Sequence, residues 1–315
     1  MNEARLGPAG LRVPAMALGG GPLGNLLSAI SDAEALATVA TAWERGVRFF
    51  DTAPFYGNGL AERRLGEALQ GRPRDEYLLS TKVGRLVEPG APVDAPVPAL
   101  FDVPPTHHCT WDFSRDGVRR SLDDSLARLG VDRVDLLLIH DPDEHWRDAV
   151  DLAYPALAEL RDAGVVGAIG VGMGNAAMLT DFVRYTDIDM VMVSGRYTVV
   201  DRSAADELLP LCVERGVWAV SVSVFTTGLL VENRSAGPVP DQYRARARRV
   251  VELCRHYDVP VTAVAMQFPL RHRAVAAVAV GCHTPEQVTA NTDAMHHPVP
   301  PRLWSELTAD GPPPG

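Results

Sequence analysis

The stretch Val47-Arg48-Phe49-Phe50-Asp51-Thr52-Ala53-Pro54-Phe55-Tyr56-Gly57 reads as a short buried strand that stops at an aspartate, turns through Pro54 and presents a tyrosine. Val47, Phe49 and Phe50 are β-branched or aromatic, the residue types of a strand packed on both faces. An α/β fold places its chemistry at strand ends, so a carboxylate and a phenol side by side there mark a candidate site. On those two residues alone, a capping Asp and a core Tyr explain the pattern equally well.

Towards the N-terminus, Arg5 to Val13 alternates glycines with short apolar pieces and suggests a small hairpin. Ala15-Met16-Ala17-Leu18 follows as a buried strand and runs into Gly19-Gly20-Gly21-Pro22-Leu23-Gly24, where the backbone can approach a ligand. This is not the spaced fingerprint of a dinucleotide-binding open sheet. Asp32 is placed to cap a helix with an apolar face of Leu36, Val39, Ala40 and Trp43, ended by Gly46.

Towards the C-terminus, helix Leu60–Leu69 precedes strand Tyr77–Val83. Pro89 to Pro105 is then a proline-rich excursion too long for a plain connection, the kind of loop that serves as a lid or binding loop. Helix Ser114–Leu129, strand Val134–His140, helix Trp146–Ala163 and strand Val165–Val171 come next. Helix Ala176–Tyr185, strand Met190–Val193, helix Ala204–Arg215 and strand Val217–Val224 continue the pattern. Helix Gln242–Tyr257, strand Ala274–Val280 and a helix opening near Thr284 complete it. Strand and helix alternate about eight times with short links, the signature of a single-domain (β/α)8 TIM barrel. The whole chain, residues 1–315, is expected to be that one domain, with an N-terminal β-hairpin, a substrate-loop excursion at 87–113 after the third strand and a frayed tail at 306–315.

Thirty Lys and Arg stand against 40 Asp and Glu, a net charge of −10 that argues against nucleic acid or an anionic membrane surface as the main partner. Cys109, Cys212, Cys254 and Cys282 are scattered without metal-ligand spacing, and in a chain of this size they read as reduced thiols. No run reaches the ~18 apolar residues of a membrane helix. A cytoplasmic protein is the expectation, and the oligomeric state is left open. His107-His108 lacks a third ligand at suitable spacing, so no metal site is expected.

In such a barrel, polar residues at strand C-termini converge on one mouth. Asp51 and Tyr56 follow the second strand, Lys82 ends the third and His140 ends the fourth. Each alone has a plain explanation; four at one end of neighbouring strands suit acid–base work beside a hydride transfer. A free phenol has a pKa of about 10, too high for ready proton donation. Lys82 is expected to lower it, Asp51 to hold the lysine charged, and His140 to hydrogen-bond the substrate oxygen. The hydride must come from a cofactor, since no side chain supplies one.

Phe50-Asp51-Thr52-Ala53-Pro54-Phe55-Tyr56-Gly57, Ser80-Thr81-Lys82-Val83-Gly84 and Leu138-Ile139-His140-Asp141-Pro142-Asp143 together resemble the aldo-keto reductase superfamily. The resemblance runs from about Leu11 to Trp304. Trp111-Asp112-Phe113-Ser114-Arg115-Asp116-Gly117-Val118 and Gly195-Arg196-Tyr197-Thr198 are similar to the branch of aldose 1-dehydrogenases and pyridoxal 4-dehydrogenases. The resemblance implies a nicotinamide dinucleotide, NAD or NADP, lying extended across the barrel mouth. Gly21, Asp51, Gly172, Met173 and Asn175 would meet its nicotinamide end, with Phe225 stacked on the ring. Thr226, Gly228 and Leu229 would meet the pyrophosphate. Gly281, Cys282, His283, Thr284, Gln287 and Asn291 would follow the adenosine. No permanent cation stands at 282–287 to meet a 2′-phosphate, so NAD is the cofactor favoured. Phe55, His108, Trp111, Arg196 and Tyr197 would line a pocket for a small carbonyl or sugar substrate. An oxidoreductase acting on an aldose, aldehyde or ketone is expected. The alternatives are a redox-neutral enzyme such as an epimerase, or a non-catalytic dinucleotide-binding module, since the superfamily includes channel-associated subunits.

Overall fold

Side chains alternate across each strand, one towards the barrel axis and the next towards the helices, and that alternation builds both layers of the core. A computed structural model describes residues 4–90, 100–226, 228–230 and 239–309. The chain opens with an antiparallel hairpin, β1 (Arg5–Leu6) and β2 (Leu11–Arg12). Eight parallel strands follow: β3 (Met16–Gly19), β4 (Phe49–Asp51), β5 (Leu78–Pro89), β7 (Leu136–His140), β8 (Ala168–Met173), β9 (Met190–Ser194), β10 (Trp218–Val222) and β11 (Val275–Gly281). They pair in chain order, and β11 pairs back onto β3, so the sheet closes on itself. The expected single-domain TIM barrel is what the chain forms.

Helices α1 (Asp32–Glu44), α2 (Leu60–Leu69), α3 (Arg115–Leu129), α4 (Trp146–Asp148), α5 (Tyr154–Asp162), α6 (Ala176–Tyr185) and α7 (Leu208–Arg215) occupy successive crossovers. Between β10 and β11 lie α8 (Asp241–His256) and α9 (Val261–Gln267), and α10 (Pro285–His296) and α11 (Pro301–Thr308) close the chain. Leu79, Leu137, Ile139, Ile169 and Val191 point outward and pack under the helices. Phe49, Leu136, Leu138, Ala168, Met190 and Val220 point inward and fill the barrel, joined from below by Leu6 of the hairpin. The hairpin stops the lower end tightly: a Cβ on Gly7 would lie 2.2 Å from the carbonyl oxygen of Gly167.

Several local expectations change. Ser31, not Asp32, caps α1 by accepting from the Glu34 N–H, and the buried face is Ala35, Thr38, Val39 and Ala42. Small residues let that helix sit close to the sheet, and Leu36 and Trp43 flank the contact. The Trp146–Ala163 helix is interrupted by a π-helical turn at Ala149–Ala153. The strand expected from Val165 starts at Ala168, with Val165 exposed, and the strand expected to run to Val224 ends at Val222. The tail does not fray at 306: α11 continues to Thr308 and buries Leu307. Residues beyond 309 lie outside the described residues.

The largest correction concerns 87–113. β5 does not stop at Val83 but continues to Pro89 and pairs antiparallel with β6 (His107–Asp112), making a hairpin that stands above the barrel. Gly84, at φ +103, lets the strand turn out of the barrel, and a Cβ there would lie 2.3 Å from the Phe113 ring. Residues 91–99 of the proline-rich segment are outside the described residues.

Candidate active site

The inward positions at the upper ends of the strands form one mouth. On β4, Phe49 packs inside and Asp51, two residues later, rises above it; on β7, Leu138 packs inside and His140 rises above. Lys82 stands on β5 opposite Leu138, and Gly172 on β8 opposite His140. β4 and β7 thus carry a hydrophobic residue below and a polar residue at the top. Tyr56 enters from the turn after β4, where its N–H donates to the Ala53 carbonyl at 3.1 Å.

These side chains meet. Lys82 Nζ donates to both Asp51 carboxylate oxygens, at 3.0 and 2.8 Å, to the Thr52 carbonyl at 2.9 Å and to the Tyr56 hydroxyl oxygen at 3.1 Å. Ser80 Oγ donates to Asp51 Oδ1 at 2.6 Å. The ammonium is therefore fully coordinated although Lys82 is only 1% exposed. The His140 ring stands edge-on to the Tyr56 ring, with centroids 5.7 Å apart. All four line a cleft of about 470 Å³.

Charge sets the protonation states. Burial alone would pull the Lys82 pKa down, but Asp51 and Tyr56 outweigh it and hold the ammonium above its ordinary value. For Tyr56 the balance runs against expectation. Burial raises the phenol, and the field and hydrogen bond of Lys82 pull it back without offsetting that rise. The hydroxyl is thus a held proton, not a phenolate. Burial, then the charges of Lys82 and Arg85, push His140 well below the ordinary histidine value, so the ring is neutral at neutral pH.

Of the other expected residues, Gly21, Gly172, Met173, Phe225, Gly228, Gly281, His283 and Phe55 line the same cleft. Others do not line it and have partners within the chain. Asn175 caps α6, accepting from the Met178 N–H at 3.1 Å. Thr284 caps α10, and Gln287 accepts from the His283 N–H at 2.8 Å. Asn291 and Cys282 are buried against each other, and Leu229 is in the core. Thr226 sits beside the cleft at φ 52, its buried Oγ1 without a hydrogen-bond partner among the described residues.

Of the residues expected at a substrate pocket, Phe55 lines the cleft, while Tyr197, Arg196, His108 and Trp111 do not. Tyr197 is 2% exposed and packs against Phe268 and His272 in the core, because its neighbours hold the loop after β9 facing inward. Arg196 donates to the Gly174 carbonyl and pairs with Asp201. His108 lies on the outer hairpin against Gly90, and Trp111 stacks on Phe113 and over Arg85. The apolar side of the cleft is formed by Phe55 together with Leu26, Leu27, Leu100 and Phe101. The Leu26–Phe101 bridge and the Leu27 N–H to Leu100 carbonyl bond tie that roof together. Asp141 also lines the cleft, at φ 45, beside His140. Sequence reasoning missed Arg85 and Asp141; the usable signal was their adjacency to Lys82 and His140 within the two strand-end motifs. Among the described residues, no group of three or more His, Cys, Asp or Glu side chains is placed to hold a metal ion, and no helix is long and apolar enough to cross a membrane.

Comparison with known proteins agrees with this geometry. The aldo/keto reductase family model matches residues 15–309. A D-threo-aldose 1-dehydrogenase of a Pseudomonas species is 43% identical, over 97% of this chain and 96% of its own. A pyridoxal 4-dehydrogenase of Microbacterium luteolum is 36% identical, over 98% and 97%. Among solved structures, an aldo-keto reductase from Bacillus halodurans in its holo form superposes with a TM-score of 0.76 at 28% identity, covering 98% of this chain and 96% of that one. A closed barrel, four polar side chains gathered at its upper mouth and a match over nearly the whole length agree: the chain is an oxidoreductase and belongs to the aldo/keto reductase family, whose enzymes use NAD(P).

Proposed function

We propose that this oxidoreductase acts on an aldose at C1, using NAD, with Tyr56 as proton carrier, Lys82 and Asp51 as its electrostatic support and His140 as a hydrogen-bond donor to the substrate oxygen. The observation that carries this is the Lys82–Tyr56 contact at 3.1 Å on the floor of the cleft. By donating to the phenolic oxygen, Lys82 leaves the Tyr56 proton free to be given to a substrate oxygen. In the reductive direction that transfer is direct. In the oxidative direction the phenol must first ionise, and the neighbouring ammonium stabilises the charge that results.

The cleft suits an extended dinucleotide. A Cβ on Gly172 would stand 3.4 Å from Met192 Cβ and 3.7 Å from Lys82 Cε, in the space a flat ring needs above the lysine. Phe225, Gly228, Gly281 and His283 also line the cleft, and the Thr226 hydroxyl, without a partner among the described residues, lies beside it. When bound, the nicotinamide supplies or takes the hydride. From Gly281 to Gln287 there is no Lys or Arg, and Glu286 is held below its ordinary pKa by a hydrogen bond from Thr284. That carboxylate repels a 2′-phosphate and favours NAD. Asp141 beside His140 offers an acceptor for a sugar hydroxyl next to the reacting carbon. The likeness to a protein named as a D-threo-aldose 1-dehydrogenase supports the same substrate class.

The test is a panel of aldoses with NAD and NADP, read as growth of reduced-nicotinamide absorbance. Turnover with at least one aldose, and a kcat/KM with NAD at least tenfold above that with NADP, is expected. Cofactor binding without turnover on any sugar, aldehyde or ketone would replace this proposal with a non-catalytic module. Sugar interconversion without net reduction would make the enzyme an epimerase.

A further inference from the structure

Arg85 is a half-buried cation that the acid–base scheme above does not use. Its side chain is 11% exposed, and its guanidinium lies between two aromatic faces, 4.2 Å from the Phe55 ring centre and 3.9 Å from that of Trp111. Held in that slot, it reaches two groups. Nη1 lies 3.1 Å from His140 Nδ1 and 3.5 Å from Asp141 Oδ2. The turn at Gly84 brings it there, since without that left-handed residue β5 would continue its regular alternation.

A guanidinium has only donors and does not lose its proton in a protein. The 3.1 Å contact therefore needs a lone pair on His140 Nδ1. A neutral imidazole has one N–H, so the hydrogen must be on Nε2. Nε2 is the nitrogen that faces the cleft-lining Asp141, at 3.4 Å.

We propose that Arg85 is a positioning residue that fixes His140 as an Nε2–H hydrogen-bond donor to the substrate oxygen. It rests on the role given to His140 above. The groups facing the ring agree with it: Arg85 and Lys82 from β5 are cationic, Tyr56 and Phe55 come from the turn after β4, and the Asp141 carboxylate beside Nε2 is itself drawn towards Arg85. With two cations beside it, His140 takes no second proton in the working pH range; it donates a hydrogen bond and does not serve as a proton source. Phe55 and Trp111 act through Arg85, which gives Trp111 a role although it does not line the cleft.

The test is histidine ¹⁵N NMR of the full chain, with the His140 ring assigned from a His140→Gln spectrum. The wild-type ring should show the Nε2–H neutral pattern without titrating between about pH 5.5 and 8.5, the span around the ordinary histidine value. In Arg85→Met the ring should become a mixture of tautomers and begin to titrate. The kcat of that variant should fall roughly 10- to 100-fold, as for loss of a supporting partner, and acquire an acid limb while the KM for NAD is unchanged. A wild-type ring protonated on Nδ1, or titrating in that span, overturns the proposal by itself, even if Arg85→Met fails to fold. So does a ring pattern and pH profile unchanged in a folded Arg85→Met. Since the NMR measurement needs no turnover, failure of the aldose assignment leaves it intact and readable.

Discussion

The two ends of the barrel both carry ion pairs, half-buried at the lower end and buried at the upper, and they are built to opposite purposes. At the lower end, Asp135 Oδ2 accepts from the Leu79 N–H at 2.7 Å and from Arg74 at 2.7 Å. Asp189 Oδ2 likewise accepts from the Ile169 N–H at 2.8 Å and pairs with Arg161 at 3.4 Å. These carboxylates join the starts of neighbouring strands through backbone as well as charge. At the upper end, the Asp51–Lys82 pair points its ammonium at a hydroxyl that borders an open cleft. Around that cleft the backbone is also less relaxed: Asp141, Ser223 and Thr226 stand at φ 45, 59 and 52 without being glycine. The same residue chemistry thus serves cohesion where every partner is internal, and reactivity where one partner is left for a ligand.

Substitutions should separate the two ends. The largest effect on rate belongs to Tyr56→Phe, which removes the proton carrier and little volume. Its kcat should drop by about 10²–10⁴, with NAD affinity kept and the melting temperature within a few degrees of wild type. Survival of activity within a few-fold would strip the upper end of its chemical role. Asp135→Ala should do the reverse. It should cost about 2–3 kcal/mol of stability, read by denaturant unfolding, and leave kcat at 25 °C within twofold. A rate loss larger than that would mean the lower end reaches the cleft.

Two pH effects sharpen the contrast. The raised phenol of Tyr56 implies that oxidation accelerates with pH into the alkaline range, because the proton acceptor is scarce at neutrality, while reduction slows there. Opposite slopes in the two directions are the expected result, and parallel slopes would remove Tyr56 from the proton path. The smallest effect concerns stability. His140 and His272 are both lowered in the fold, mainly by burial. Unfolded histidine takes up a proton near pH 6.5, so stability present above that value is lost as pH falls below it, by at most about 1.4 kcal/mol per pH unit for each group. His140→Gln should flatten that acid slope, and an unchanged slope would place the sensitivity elsewhere.

The sequence was most readable where one local pattern has one outcome. A short continuous apolar run such as Leu136-Leu137-Leu138-Ile139, rich in branched residues and bounded by polar ones, suits a strand packed on both faces, and the His140 that ends it marks the mouth. Asp51, Lys82 and His140 were legible for that reason. The excursion was not, because the pairing of β5 with β6 joins residues separated by a proline-rich segment whose composition suggests no strand. The placement of Tyr197 was not readable because a residue after a strand end can turn either way; here it is buried against Phe268. The sign of the Tyr56 shift was also beyond reach, since it depends on how far burial outweighs Lys82, a balance of distances and not of residue types. Arg85 needed both Gly84 and the two aromatic faces, which come from different segments.

The hairpin beneath the barrel has a consequence for how the molecule comes into being. Leu6 lodges among Leu136, Leu138 and Ala168, and Gly7 lies against Gly167, all of them made long after it during synthesis. The nascent chain therefore carries its stopper before its vessel exists, and the hairpin finds its packing partners only after strands made much later have emerged.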